Sequence, residues 1–89
     1  MKGLLAKAHD RFSETAIDQE IVVMSLATGD FFSLEGTARA TWLLIDGTRD
    51  QAAIIAALGE HFSGPTAAVA ADVAAFVAEL GRAGLITGD

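Results

Sequence analysis

Two histidines are the residues of this sequence best suited to acid–base or metal chemistry, and their positions argue against both. His9 lies near the start, where no hydrophobic period is sustained, and His61 lies on the polar side of a predicted helix. An acid–base pair or a metal site needs imidazoles and carboxylates that converge, which this spacing does not predict. We therefore expect no catalytic residue and no metal ligand, and we interpret both histidines as solvent-exposed.

The serines and glycines also lack the contexts in which they carry chemistry. No serine lies in a GxSxG elbow, and the glycines form neither GxGxxG nor Gly-Lys-Ser/Thr. A nucleophile and a phosphate-binding loop are therefore not predicted. Because the chain has no cysteine, disulfides and thiolate chemistry are excluded as well. These patterns predict a protein that is not an enzyme and needs no cofactor.

A short strand rich in phenylalanine is the stretch for which the sequence does predict a function. Residues 28–30 have the composition of a tight turn, residues 21–26 before it are β-branched and apolar, and Phe31–Leu34 after it is a strand-prone run. A short strand that ends a hairpin and precedes helices is expected at the edge of a sheet, with unpaired N–H and C=O groups facing outward. We interpret this edge as the binding part of the protein.

The two neighbouring phenylalanines of this strand predict a contact with another molecule. Side chains alternate between the faces of a strand, so only one of Phe31 and Phe32 can face the core. An exposed phenylalanine beside an open edge marks an interaction site. The alternatives are that the N-terminal segment or a second copy of the chain covers the edge.

The elements that position this edge follow from the hydrophobic pattern. Residues 11–17 and 20–26 are expected to form two strands before Phe31–Leu34, which gives a three-stranded antiparallel meander. Helical periodicity then predicts a first helix over about residues 37–46, a second that follows Thr48 and runs to about residue 61, and a third over residues 66–81.

Three further expectations concern single positions and the chain as a whole. Thr48 is a candidate N-cap for the second helix, with Gln51 completing a capping box, and Trp42 is expected in the core. Residues 1–10 are expected to be a flexible N-terminus, and residues 11–89 a single domain.

Charge and hydropathy exclude several classes of partner. Six basic against twelve acidic residues give a formal charge of −6, and beyond residue 11 the basic residues are Arg39, Arg49 and Arg82. Nucleic-acid binding is not expected, because it depends on lysines and arginines that neutralise phosphates. No apolar run approaches the ~20 residues of a membrane span, and no signal peptide is recognisable. The expected location is the cytoplasm, away from membranes.

Several segments resemble the PqqD family over about residues 20–86, and they follow one another in the order and at the spacing found in that family. They are Leu26-Ala-Thr-Gly-Asp-Phe-Phe-Ser-Leu-Glu-Gly-Thr-Ala, Trp42-Leu-Leu-Ile-Asp-Gly-Thr, Ile54-Ile-Ala-Ala-Leu, Asp72-Val-Ala-Ala-Phe-Val-Ala-Glu-Leu and Gly84-Leu-Ile. That family includes the stand-alone recognition proteins of lasso-peptide pathways, and its fold is the RiPP recognition element. Glu35 departs from the pattern, since many relatives have Asn there.

The resemblance implies an α+β, winged-helix-like domain, with a three-stranded antiparallel sheet followed by three helices and without catalytic activity. It implies that the leader segment of a ribosomally synthesised precursor peptide adds to the third strand and enters a groove against the third helix. The bound precursor would be delivered to a separate maturation enzyme, either a leader peptidase or a radical SAM enzyme. By position, the peptide-binding residues would be Asp30, Phe31, Phe32, Ser33, Leu34, Asp72, Ala75, Phe76, Glu79, Leu80 and Ala83.

Two other functions compete with this interpretation. A winged-helix DNA-binding regulator would need a basic recognition helix, whereas residues 66–81 contain Asp72 and Glu79 and no lysine or arginine. A structural dimerisation module would instead pair the edge strand with that of a second copy, giving a homodimer.

Overall fold

Three strands joined by tight turns form the sheet, and the turn residues explain where the hairpins close. In the computed structural model, which describes residues 3–60 and 66–88, a short strand β1 (Ala6–Lys7) comes first, then the sheet of β2 (Phe12–Ile17), β3 (Glu20–Ser25) and β4 (Phe31–Leu34). Asp18 has a φ of 54° in the β2–β3 turn, and Gly29 a φ of 79° in the β3–β4 turn. These left-handed conformations suit Asp and Gly and let the chain reverse within a few residues.

The antiparallel register fixes which backbone groups each strand shares with its neighbour. Ser25 donates its N–H to the carbonyl of Asp30 over 2.8 Å, and Leu26 donates its N–H to the carbonyl of Arg11 over 2.9 Å. Hydrogen-bonded pairs recur at every second residue of an antiparallel ladder. Odd-numbered residues of β3 therefore bond to β4, and even-numbered ones bond to β2.

Three helices follow the sheet: α1 (Gly36–Leu44), α2 (Gln51–Gly59) and α3 (Thr66–Arg82). The N-cap of α2 is Asp50, whose carboxylate accepts the Ala53 N–H over 2.8 Å. The prediction that Thr48 caps this helix is wrong, because the N–H and hydroxyl of Thr48 both donate to the Asp46 carboxylate. These two hydrogen bonds, followed by the nearby Arg49 guanidinium, hold the pKa of Asp46 below its usual value.

The core lies between the inner face of the sheet and the helices. Trp42 is completely buried, as expected, and the ring of Phe12 meets it edge-on with the centroids 5.1 Å apart. The Lys7 ammonium lies 4.9 Å from the centre of the same indole ring, where a cation is attracted to the π system. Trp42 is therefore a packing residue of the core.

The two ends of the described chain pair with each other. β1 pairs in antiparallel fashion with β5 (Ile86–Thr87), and Leu5 and Leu85 are buried. A flexible N-terminus over residues 1–10 stays a prediction, although the side chain of Leu5 belongs to the core. The predicted α+β architecture, a three-stranded antiparallel sheet followed by three helices, is confirmed.

Candidate functional site

β4 is an edge strand, and two of its residues present free backbone groups to one side. The strand order is β2-β3-β4, so β4 has β3 as its partner within the described sheet. Since the Asp30 carbonyl accepts the Ser25 N–H, the alternation directs the backbone N–H and C=O groups of Phe32 and Leu34 to β3 as well. The N–H and C=O groups of Phe31 and Ser33 consequently face away from the sheet. A guest strand could form four main-chain hydrogen bonds with them.

The side chains of β4 divide between two surfaces. Phe32 and Leu34 point toward the core, where Leu34 is buried and Phe32 is half-buried against other apolar residues. Phe31 and Ser33 point to the opposite, outer face, and the Phe31 side chain is 70% exposed. The prediction that one phenylalanine faces the core and its neighbour does not is thus confirmed, with Phe32 as the inner one.

The N-terminal segment does not cover this edge in the described part of the chain. β1 pairs with β5 instead, and Leu5 forms an isolated bridge with Arg49, in the segment between α1 and α2. The alternative that the chain's own start occupies β4 is therefore wrong for residues 3–60 and 66–88. The open strand is available to another molecule.

A cavity of about 230 Å³ lies at the end of β4, between the first turns of α1 and the middle of α3. Ala38 and Phe76 give it apolar walls, and Glu35 and Asp72 place exposed carboxylates at it. The full set of lining residues is Glu35, Thr37, Ala38, Thr41, Asp72 and Phe76. The cavity therefore suits a guest side chain whose apolar part packs against these walls.

Polar groups of this cavity differ in what they offer a ligand. The hydroxyl of the buried Thr41 already donates to the Thr37 carbonyl over 2.7 Å. Neither Glu35 nor Asp72 forms an ion pair with a residue in 3–60 or 66–88, where Asp46 and Arg49 make the salt bridge. The carboxylates are therefore free to accept hydrogen bonds from a guest.

The residues of α3 expected to line the groove, together with Ala83 just after its end, fall into three groups by burial. Asp72, Ala75 and Glu79 are exposed, and Phe76 and Ala83 are half-buried against the core. Leu80 is completely buried. The expectation that Leu80 lies at the surface of the groove is therefore wrong: its side chain belongs to the core, on the inner stripe of α3 with Val69 and Val73.

The cavity includes four residues that sequence reasoning missed. Glu35 is the N-cap of α1, and Thr37, Ala38 and Thr41 lie in its first two turns. The available signal was the direct passage from edge strand to helix at Glu35 and Gly36, which places the first turn of α1 at the end of the strand. Asp30, which directly precedes β4, is exposed and does not line the cavity.

The remaining cavities and polar side chains of the described residues do not form a second candidate site. Two further concavities, of about 360 and 330 Å³, involve β1 and the start of α2, and neither is lined by a residue of β4. Within residues 3–60 and 66–88, no group of three or more His, Asp or Glu side chains could hold a metal ion. His9 is exposed as expected, whereas His61 lies outside the described residues. None of the described helices is both long and apolar enough to span a membrane.

Comparison with known proteins agrees with the resemblance found in the sequence. The profile of the family described as coenzyme PQQ synthesis protein D (PqqD) matches residues 20–86. Among solved structures, the chain is similar to TbiB1 in complex with the TbiA(beta) leader peptide, with a TM-score of 0.80 and 25% sequence identity. That similarity covers 94% of this chain and 96% of the other. No curated protein matches the sequence.

Proposed function

The chain belongs to the PqqD family, and we propose that it binds the leader segment of a ribosomally synthesised precursor peptide and delivers it to a separate maturation enzyme. It acts as a RiPP recognition element in natural product biosynthesis. The maturation enzyme is a leader peptidase or a radical SAM enzyme. The similar TbiB1 structure holds a leader peptide, which supports the same class of ligand here.

The observation that carries the proposal is the pair of unshared backbone sites at Phe31 and Ser33 beside the cavity. A peptide lying antiparallel to β4 forms two hydrogen-bonded pairs with these residues, an example of β-strand addition. Its intervening side chains point inward, toward Phe32 and Leu34. From there they reach the wall of the groove formed by Asp72, Ala75, Phe76, Glu79 and Ala83.

Backbone pairing alone is too weak to hold the leader. Four main-chain hydrogen bonds contribute a net ~0.5–1.5 kcal/mol each, whereas fixing each peptide residue costs ~1–2 kcal/mol of conformational entropy. One or two apolar side chains buried in the groove, at ~1.5–3 kcal/mol each, bring the affinity to about micromolar. The cavity beside Phe76 is the place where the first of these side chains binds.

Acidic residues around the site favour a leader that carries positive charge. Glu35 and Asp72 lie at the cavity, and Asp30 and Glu79 are exposed at β4 and α3. The formal charge of −6 adds a long-range attraction for a basic peptide. The same charge disfavours the alternative of DNA binding, because α3 has Arg82 as its single basic residue, at its last position.

Proline substitutions on the two outer strands test the proposal. Ser33→Pro removes an N–H that faces the open side of β4 and leaves the ladder to β3 intact. Ala16→Pro is the matched control, because the register directs its N–H to the open side of β2. The probe is the strongest binder selected on the wild-type protein from a random short-peptide library, labelled with fluorescein.

We expect Ser33→Pro to weaken binding of this peptide by about ten-fold or more, and Ala16→Pro by less than about two-fold. Failure to select any binder, or equal effects of the two prolines, would overturn the proposal. Light scattering tests the dimerisation module: a doubled mass that Ser33→Pro abolishes and peptide does not change would favour that function instead.

A further inference from the structure

The outer face of the sheet has an apolar side chain that the groove does not explain. Phe31 is 70% exposed although it lies on the strand that accepts the leader. Across the ladder it faces Met24 of β3, which is half-buried, and Val22 lies on the same face. Phe31 is therefore covered on its β3 side and open on the side where a guest strand would lie.

We propose that Phe31 binds a second side chain of the leader, a bulky β-branched or aromatic residue that points outward from the added strand. This inference rests on the proposed function and adds a specificity-determining contact to it. The leader is then recognised on both faces of the extended sheet. One side chain enters the groove, and its neighbour in the peptide packs against Phe31.

The hydrogen-bonding phase of β4 places this contact. Because the free N–H and C=O of Phe31 face the guest, one guest residue stands directly opposite Phe31 and its side chain shares the outer face. The preceding guest residue stands opposite Phe32 and points inward. The residue before that stands opposite Ser33, again on the outer face.

The polarity of the outer face distinguishes these two outward positions. The Ser33 hydroxyl donates to the Glu20 carboxylate, so the surface at Ser33 is polar and negatively charged. The surface at Phe31 and Met24 is apolar. From N- to C-terminus, the leader segment therefore carries a polar or basic residue, an inward apolar residue and an outward bulky apolar residue, opposite Ser33, Phe32 and Phe31 in turn.

The leader fits this surface better than the other occupants do. A second copy packed face to face would bring the Glu20 carboxylates of both copies into one interface, which disfavours pairing. An enzyme that covered the whole outer face would contact Ile17 as well as Phe31, so replacing either residue would weaken its binding. Ile17 is 51% exposed at the far end of this face. A strand added to β4 lies about three strand spacings, ~14 Å, from β2 and cannot reach Ile17.

Ile17 thereby provides the matched control for Phe31. The experiment titrates the selected peptide against wild type, Phe31→Thr and Ile17→Thr, and repeats the titrations with the peptide's outward apolar residue replaced by alanine. Both substituted side chains are exposed and both replacements favour strands, so thermal melts should stay close to wild type. Phe31→Thr should weaken binding about three- to five-fold, as expected for one apolar cross-strand pair, and Ile17→Thr less than about two-fold.

With the alanine peptide, the effect of Phe31→Thr should fall below about two-fold, since the partner side chain is gone. The inference is overturned if Phe31→Thr leaves the affinity unchanged or if both threonine variants weaken binding equally. It is also overturned if Phe31→Thr weakens binding of the alanine peptide as much as binding of the original peptide. Ser33→Pro distinguishes the failure of the outer contact from the failure of the proposed leader binding. A peptide that loses affinity with Ser33→Pro but ignores Phe31→Thr refutes the outer contact alone.

Discussion

Phe32 stands opposite Val23 in the register of β4 on β3, and this pairing turns the Phe32 side chain toward the core. Val23 is completely buried, so the inner position of Phe32 is fixed by a residue that cannot move outward. The neighbouring Phe31 is left on the outer face. A strand of four residues thus has one face that belongs to the fold and another that is free for recognition.

Replacing Phe76 should weaken peptide binding without unfolding the protein. Phe76 is half-buried and lines the cavity beside β4. We expect Phe76→Ala to reduce affinity for the selected peptide about ten-fold, about 1.4 kcal/mol, because an apolar wall of the groove is lost. Fluorescence anisotropy measures this, with Leu43→Ala as the control at an exposed apolar residue that does not line the cavity. Equal affinities for the two variants would contradict the placement of the groove.

Leu80 should affect stability, since it is a core residue. Leu80→Ala is expected to lower the free energy of unfolding by ~2–5 kcal/mol, the range for buried leucines whose removal leaves a cavity. The exposed neighbour Glu79 gives the comparison, and Glu79→Ala should change stability by less than about 0.5 kcal/mol. Urea denaturation followed by circular dichroism measures both. A wild-type midpoint for Leu80→Ala would refute its assignment to the core.

The start of α2 should depend on Asp50 and much less on Thr48. Asp50→Ala removes the acceptor for the Ala53 N–H and should cost ~0.5–2 kcal/mol of stability. Thr48→Ala removes an exposed hydroxyl that bonds to Asp46, and we expect a loss below about 0.5 kcal/mol. Thermal unfolding of the two variants shows which substitution lowers the stability more. A larger loss with Thr48→Ala would restore the cap predicted from the sequence.

The carboxylates at the cavity should make binding sensitive to salt when the peptide is basic. Asp72→Asn keeps the shape of the side chain and removes its charge, so affinity for a peptide containing lysine or arginine should fall about three-fold at low ionic strength. The difference should shrink as salt is raised, because exposed charges are screened. Glu60→Gln is the control at an exposed carboxylate that does not line the cavity. If wild type and Asp72→Asn share one salt dependence, the charge preference is wrong.

Composition and periodicity were enough to predict the order and type of the main elements. A β-branched run, a Thr-Gly-Asp turn and a short phenylalanine strand predict the hairpin from neighbours in the chain, and β4 has the predicted bounds, Phe31–Leu34. Family membership, also predicted from the quoted segments, is confirmed by the profile match over residues 20–86. Such features depend on periodicity and composition within one segment, which the sequence displays directly.

Which face of α3 is buried depends on how the helices pack against one another. A shift of one residue in an α-helix turns a side chain by ~100°, so the pattern of α3 left open whether Leu80 belongs to the groove or to the core. Packing against α1 and α2 settles that phase. The cavity at Glu35, Ala38 and Phe76, and the pairing of β1 with β5, also join residues far apart in the chain. These contacts depend on how whole elements pack, which no local pattern encodes.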